Sequence, residues 1–439
     1  MPQVYAPASL PYANLRSAHR SVAEKSVSGF PAWLVLIGLI IPAAEVQIYF
    51  GSAKFTVGRL GVVLLLLPAC VALCRSGRRL IISDVFAVAT AAWIVAAGIA
   101  VGGSTTLPSA VAESLEFFGG YIVARAFFFG PAVLEKFISV LKILTCIAVA
   151  FAVAESLSGR LIIHELVASV MHILPPDAQF RNGMVRAMST FDHAILFGAF
   201  CSLTGTILLF TEPTLRKKIF YVGICFLGCV LSWSSSAFLT LFIVFTAYNY
   251  DRIMRHFSQR WTVFWSMLLI VFLLFFSVSS NPMSWIISHL TLDPVSGYFR
   301  LMIWDAAFQK FEQSLWVGFG FNPLGNWILD ATVDSVWLVF ALRFGIPMVI
   351  LLFLTGITAM LPVHHAKRMR GKNPYMDSLS TAFTTALIMF MFIGLTVHMW
   401  NYMWIFWSLC LGIRASIREW YISQSTSISM EAQGNLQAA

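Results

Sequence analysis

Arg181 and Arg186 stand five residues apart in Phe180-Arg-Asn-Gly-Met-Val-Arg-Ala-Met-Ser-Thr-Phe-Asp-His-Ala-Ile. Arg300 opens a later aromatic stretch, and Arg343 follows the carboxylate Asp334 by nine residues. Arginine stays charged in any protein environment, and its planar fork grips two phosphate oxygens at once. Two or three such forks brought together would clamp a pyrophosphate. Pyrophosphate is a good leaving group once its charge is neutralised, so arginines can stand where other enzymes use a metal. No Asp-x-Asp metal motif occurs in the chain, and no cofactor is expected. A hydroxyl attacking beside that leaving group needs a base, worth about 10²–10⁴-fold. Asp334 is the first candidate, with His193 and Asp192 behind it. Asp330 lies four residues before Asp334 and would raise its proton affinity by like-charge repulsion if both were helical. For any single arginine, the alternative is a helix-end anchor that touches no substrate.

Other polar residues interrupt apolar sequence. Glu113 and Glu116 lie one helical turn apart, and a charge within a membrane costs about 3 kcal/mol or more. Such groups either pair structurally or line a polar site. Arg125, on the same stretch, is expected to reach the inner headgroups. All seven cysteines (70, 74, 146, 201, 225, 229 and 410) fall in apolar stretches. The pairs Cys70/Cys74 and Cys225/Cys229 have one-turn spacing, but no neighbouring His or acid completes a metal site. His364-His365 sits among basic residues and reads as surface charge.

The elements that must hold these residues follow from composition. The 439 residues are 59% hydrophobic and 11% charged, against roughly a quarter charged in a soluble domain. Most of the chain therefore meets lipid or other buried helices. A bilayer crossing needs roughly 20 apolar residues. That rule predicts about twelve spans, near 30–48, 57–74, 83–101, 109–129, 137–156, 191–211, 219–232, 236–249, 262–279, 335–361, 379–397 and 399–415. Residues 1–29 are polar, hold Arg16, Arg20 and Lys25, and read as a cytoplasmic tail rather than a signal peptide. Residues 30–420 form the transmembrane domain, and 421–439 read as a disordered cytoplasmic tail.

Charge sets the orientation. With the N-terminus inside, 21 of the 29 Lys and Arg fall on the cytoplasmic side. The external eight are Lys54, Arg59, Arg160, Arg181, Arg186, Arg300, Lys310 and Arg343. The net charge of +9 is thus mostly a topology signal, and it argues against nucleic acid as a partner. Two external segments, about 156–190 and 280–334, are too long for simple turns, and such loops usually carry function. Within the second, Phe299 to Gln313 alternates apolar and charged residues like a helix lying along the membrane surface. The glycine-rich run Val317-Gly318-Phe319-Gly320-Phe321-Asn322-Pro323 then turns the chain back.

These stretches resemble a known family. Val185-Arg186-Ala187-Met188-Ser189-Thr190-Phe191-Asp192-His193-Ala194-Ile195-Leu196-Phe197-Gly198 resembles the Arg-x3-4-Phe-x-His-Pro-Ile-x-x-Gly stretch of the O-antigen polymerase/ligase superfamily. Tyr298-Phe299-Arg300-Leu301-Met302-Ile303-Trp304, with Gly318-Phe319-Gly320, resembles its Arg-x3-Trp…Gly-x-Gly loop. Asp334-Ser335, nine residues and Gly345-Ile346-Pro347 resemble its His-(Asn/Ser/Gln)-x9-Gly signature. The three occur in order and on one predicted side, covering roughly 186–347. There are departures. Ala194 replaces a Pro, Ser232-Trp233-Ser234-Ser235-Ser236 lacks the arginine of a Ser-Arg turn, and Asp334 stands where the ligase branch has histidine.

The resemblance implies an all-helical, C-type membrane glycosyltransferase of the bacterial inner membrane. It implies a glycan donor on undecaprenyl pyrophosphate, membrane lipid around it, and a chain-length regulator and a flippase as candidate partners. Arg186, Arg300, Arg181 and Arg343 would bind pyrophosphate, and Glu113, Glu116 and Trp304 would line the site. The missing histidine favours a polymerase of O-antigen, capsule or exopolysaccharide over a ligase. A transporter or flippase of lipid-linked sugars is the rival from another class. It should show intramembrane charges along a cavity and an internal repeat, whereas the polar chemistry here sits in two loops.

Overall fold

The computed structural model describes residues 28–50, 53–75, 77–278, 282–290, 293–363 and 373–438. The predicted tail up to residue 27 and the basic stretch holding His364-His365 lie outside them.

The chain is mostly helical. α1 (Phe30–Leu36) continues as a 3-10 turn (Ile37–Ile40) and gives way to an antiparallel hairpin, β1 (Gln47–Phe50) with β2 (Ala53–Thr56). α2 (Val57–Arg75), α3 (Ile82–Gly102), α4 (Leu107–Phe127) and α5 (Pro131–Ser158) follow. The first long loop holds α6 (Ile162–Met171) and a second hairpin, β3 (Phe180–Arg181) with β4 (Met184–Val185). Next come α7 (Ala194–Thr211), α8 (Leu215–Ser232), α9 (Ser235–Ile253) and α10 (Arg260–Val278). The second long loop holds α11 (Pro282–Leu290), α12 (Pro294–Phe311) and α13 (Trp327–Ala331). α14 (Val336–Met360), α15 (Pro374–Ile393) and α16 (Tyr402–Ala438) complete the bundle.

Seven helices among the described residues are long and apolar enough to cross a membrane: α2, α3, α5, α7, α10, α14 and α15. That fits an all-α membrane protein. Four other predicted spans, 109–129, 219–232, 236–249 and 399–415, fall on α4, α8, α9 and α16. These are helical but carry more charged or polar side chains. The span predicted at 30–48 departs most. Its helical part is Phe30–Ile40 only, and a hairpin strand begins at Gln47. Pro42 has no N–H to donate and disfavours helical geometry at Ile41, whose backbone is extended (φ −122°, ψ 118°). At the other end α16 runs on to Ala438, where composition predicts a disordered tail. Extending a packed helix costs far less than starting one.

α4 is the central pillar, packed by α2, α3 and α16. Its polar groups are paired inside the bundle. Arg125 does not reach headgroups, as expected from its position, but is 2% exposed. Its Nε donates to Asp84 at 2.8 Å and its Nη1 to Glu419 at 2.6 Å, while Arg78 holds Glu419 from the other side at 2.6 Å. Tyr121 adds a bond to Asp84 at 2.6 Å. Two carboxylates meet the fork of Arg125 here, and removing either partner would leave a buried charge.

α14 bends at Gly345, whose backbone (φ 77°, ψ 175°) is open to glycine alone. Pro347 lacks the N–H that would reach back to the Arg343 carbonyl, and Gly320 N–H takes that carbonyl at 2.9 Å. Ile346 donates outward to Leu315 O at 2.9 Å, which frees Leu342 O for Phe319 N–H at 2.7 Å. The glycine-rich run is therefore stapled into the bend. Trp93 on α3 adds a bond from its indole to Phe344 O at 2.8 Å.

Candidate active site

The first pair of arginines comes from the β3–β4 hairpin. Asn182 (φ 52°) and Gly183 (φ 76°) both occupy left-handed geometry, as a two-residue type I′ turn requires. This turn leaves Arg181 before it and Arg186 just after it. Both side chains run to the end of α8, whose last carbonyls have no intrahelical donors and carry the negative end of the helix dipole. Arg181 Nη1 donates to Trp233 O at 2.7 Å, and Arg186 Nε to Ser232 O at 3.3 Å. Ala187 N–H reaches Leu231 O at 3.0 Å and fixes the backbone between them. The Ser232–Ser236 turn, which has no arginine of its own, thus receives two from the hairpin.

The second loop supplies the counterpart. Asp293 caps α12 by accepting from Val295 N–H at 3.1 Å, and its other oxygen meets Arg181 Nη2 at 3.3 Å. Nearly two turns along α12 from Asp293, Arg300 lies 3.5 Å from Asp334. The second oxygen of Asp334 accepts from the Thr332 hydroxyl at 2.8 Å. Ser335 then caps α14 and donates to Gly394 O at 2.9 Å, which pins the segment carrying Asp334 to the end of α15. Three guanidiniums, of Arg181, Arg186 and Arg300, face two carboxylates, of Asp293 and Asp334. Burial, then Arg181 and Arg300, lower the pKa of Arg186 to about 10. The cluster carries surplus positive charge.

Beside it opens a cleft of about 440 Å³, lined by His193, Asp330, Asp334, Arg343, His398 and Trp400 among others. His193 caps α7 by accepting from Ile195 N–H on Nδ1 at 3.0 Å. Arg186 Nη1 donates to Gln179 Oε1 at 2.9 Å, which turns the Gln179 amide N–H₂ toward His193 Nε2, 3.0 Å away. Both ring nitrogens therefore face donors. A neutral imidazole has one bare nitrogen and an imidazolium has none, so this setting opposes protonation. Burial and then Arg186 lower the pKa of His193 to about 4. The ring is neutral at physiological pH.

Not every residue expected at the site lies together. Arg181, Arg186, Arg300, His193 and Asp334 cluster, and Arg343 lies across the cleft, where it pairs with Glu113 at 3.3 Å. Glu116 pairs with Arg59 at 2.8 Å, and both glutamates line a neighbouring chamber. Asp192 is not among the cleft's lining residues; it accepts from Asn401, and burial raises its pKa. Trp304 packs with Phe308 (ring centroids 5.7 Å) on α12, against a small apolar cluster. Asp330 is helical but Asp334 is not. The Asp330 carboxylate accepts from Leu324 and Asn326 N–H (2.6 and 3.1 Å), so the helical like-charge pairing expected from their spacing does not form.

Three participants escape the sequence reading. Gln179 bridges Arg186 and His193, Asp293 links the two loops, and His398 lines the cleft from the short connection between α15 and α16. Asn182-Gly183 was the available signal for the first, since a two-residue hairpin sets Gln179 opposite Arg186. Asp293-Pro294 is a helix-start pattern that marks the second. No family model matches the chain, and no curated protein matches it.

Proposed function

We propose that this chain is a bacterial polysaccharide polymerase. In this reading it has about twelve spans with both termini cytoplasmic, and the two long loops lie at the outer face of the inner membrane. It joins glycan repeat units carried on undecaprenyl pyrophosphate, as O-antigen, capsule or exopolysaccharide polymerases do, in the manner of a C-type glycosyltransferase. The supporting observation is the convergence of Arg181, Arg186 and Arg300 from two loops beside Asp334 and His193. Surplus positive charge next to the Asp334 carboxylate suits departure of a pyrophosphate under attack by a sugar hydroxyl. Arginine forks bear the charge on the leaving group, and Asp334 takes the proton of the acceptor hydroxyl.

A deletion strain tests the reading. Single repeat units on the lipid carrier, with no long chains, are expected. Long chains accumulating on undecaprenyl pyrophosphate would instead make the protein a ligase. Normal surface polysaccharide would end the proposal.

A further inference from the structure

A second chamber, of about 240 Å³, adjoins the cleft and shares Phe321, Arg343, His398 and Trp400 with it. Its own walls include Glu113, Glu116 and Trp404. Trp404 is 1% exposed, and among the described residues its indole N–H has no hydrogen-bond partner. The same holds for Nδ1 of His398. A buried donor such as the Trp404 N–H left without an acceptor is costly, and Trp404 and His398 are both lining residues of the chamber.

The rest of the lining narrows what could meet them. Glu113 is held by Arg343 at 3.3 Å, and both bonds from Arg59 go to Oε1 of Glu116, at 3.0 and 2.8 Å. The carboxylates are fixed and still able to accept, which suits hydroxyls, and Lys54 joins Arg59 and Arg343 in the lining, so one cation is left over for a carboxylate on the ring. Trp400, Trp404 and Phe321 supply flat apolar surface. A lipid tail would match those rings but leave the indole N–H and the carboxylates unmet. The volume is below the roughly 300–1,000 Å³ of pockets for drug-sized ligands, and fits one ring. Arg343 and His398 stand between this chamber and the cleft that holds Asp334.

We propose that the inner chamber is a subsite for a single sugar ring, one unit removed from the glycan hydroxyl or bond that reacts in the cleft. The sugar in this assignment rests on the glycan-transfer reading above.

Saturation-transfer NMR on the purified full-length protein in detergent tests it, with methyl glycosides of hexoses, N-acetylhexosamines and hexuronates as probes. Saturable transfer to at least one of them is expected. Trp404→Phe keeps a ring and removes the N–H, and should weaken that binding about tenfold. Because Trp404 is packed in the core, Glu113→Gln, at the chamber wall, carries the test if the first variant does not fold, with the same expected loss. Arg300→Ala should bind the glycoside normally, since Arg300 belongs to the arginine cluster and not to this chamber. Binding and polymer formation are thus scored apart. No transfer to any probe, or unchanged affinity in Glu113→Gln, would overturn the assignment. Loss of binding in Arg300→Ala would also overturn it, by moving the sugar to the cleft.

Discussion

Gly345 and Trp316 leave no room for a side chain between them: a Cβ on Gly345 would lie 2.0 Å from the Trp316 carbonyl oxygen. The close approach is what lets the Phe319 and Gly320 N–H groups reach the carbonyls of Leu342 and Arg343. Gly345→Ala should therefore cost about 1–3 kcal/mol from the left-handed backbone alone, with the clash in addition. The unfolding temperature of the detergent-solubilised protein checks this. An unshifted transition would mean that the loop is not held by the bend.

Arg186→Ala and Arg300→Ala should each abolish polymer, by about 10²-fold or more, while protein still accumulates in the membrane. Each removes one of three positive charges facing two carboxylates. Lysine at either position should restore only part of the yield, since it cannot make a forked contact. Gel analysis of surface polysaccharide reads the outcome. Wild-type chain length and amount in both alanine variants would remove the arginine cluster from the chemistry.

Asp334→Asn separates proton acceptance from position. The amide can still accept from the Thr332 hydroxyl, which now meets Asp334 at 2.8 Å, but it cannot take a proton. Lipid-linked single units should accumulate, and polymer should fall about 10²–10⁴-fold. Full activity in this variant would exclude Asp334 as the base.

Acid should weaken the folded protein through two histidines. Burial first, and then neighbouring arginines, lower His193 to about 4 and His398 to about 3 from an ordinary 6.5. Between about pH 6.5 and 4 the unfolded chain binds protons that the folded chain refuses, so stability is fully present above that window and falls through it. Asp192, raised by burial, acts in the opposite direction as acid is added. Between pH 7 and 4 the wild-type protein should therefore lose unfolding temperature relative to a His193→Asn, His398→Asn variant. An equal slope in both proteins would refute this origin.

The sequence made the helices legible because each is a run of apolar residues broken by charge or proline. It also made the arginines legible, since charge is scarce and each one stands out. What it could not give was direction. Nothing in the run 109–129 says that Glu113 meets Arg343 on α14, or that Arg125 finds Asp84 and Glu419 instead of headgroups. Those partners lie 230, 41 and 294 residues away. The predicted span at 30–48 failed for a local reason, because hydropathy averages over Pro42 and does not register its missing N–H. The single-residue gap predicted at His398 hid a wall of the cleft, since a loop that short looked like a mere turn.

The ion network around Arg125 has an electrical consequence. A bundle that opens polar cavities at one end must not become a wire across the membrane. At the other end, two guanidiniums (Arg78 and Arg125) meet two carboxylates (Asp84 and Glu419), and their formal charges cancel. The four side chains are at most 9% exposed. Formal charge thus sums to zero where the bundle is most tightly closed, and a cation entering from that end meets no net attraction.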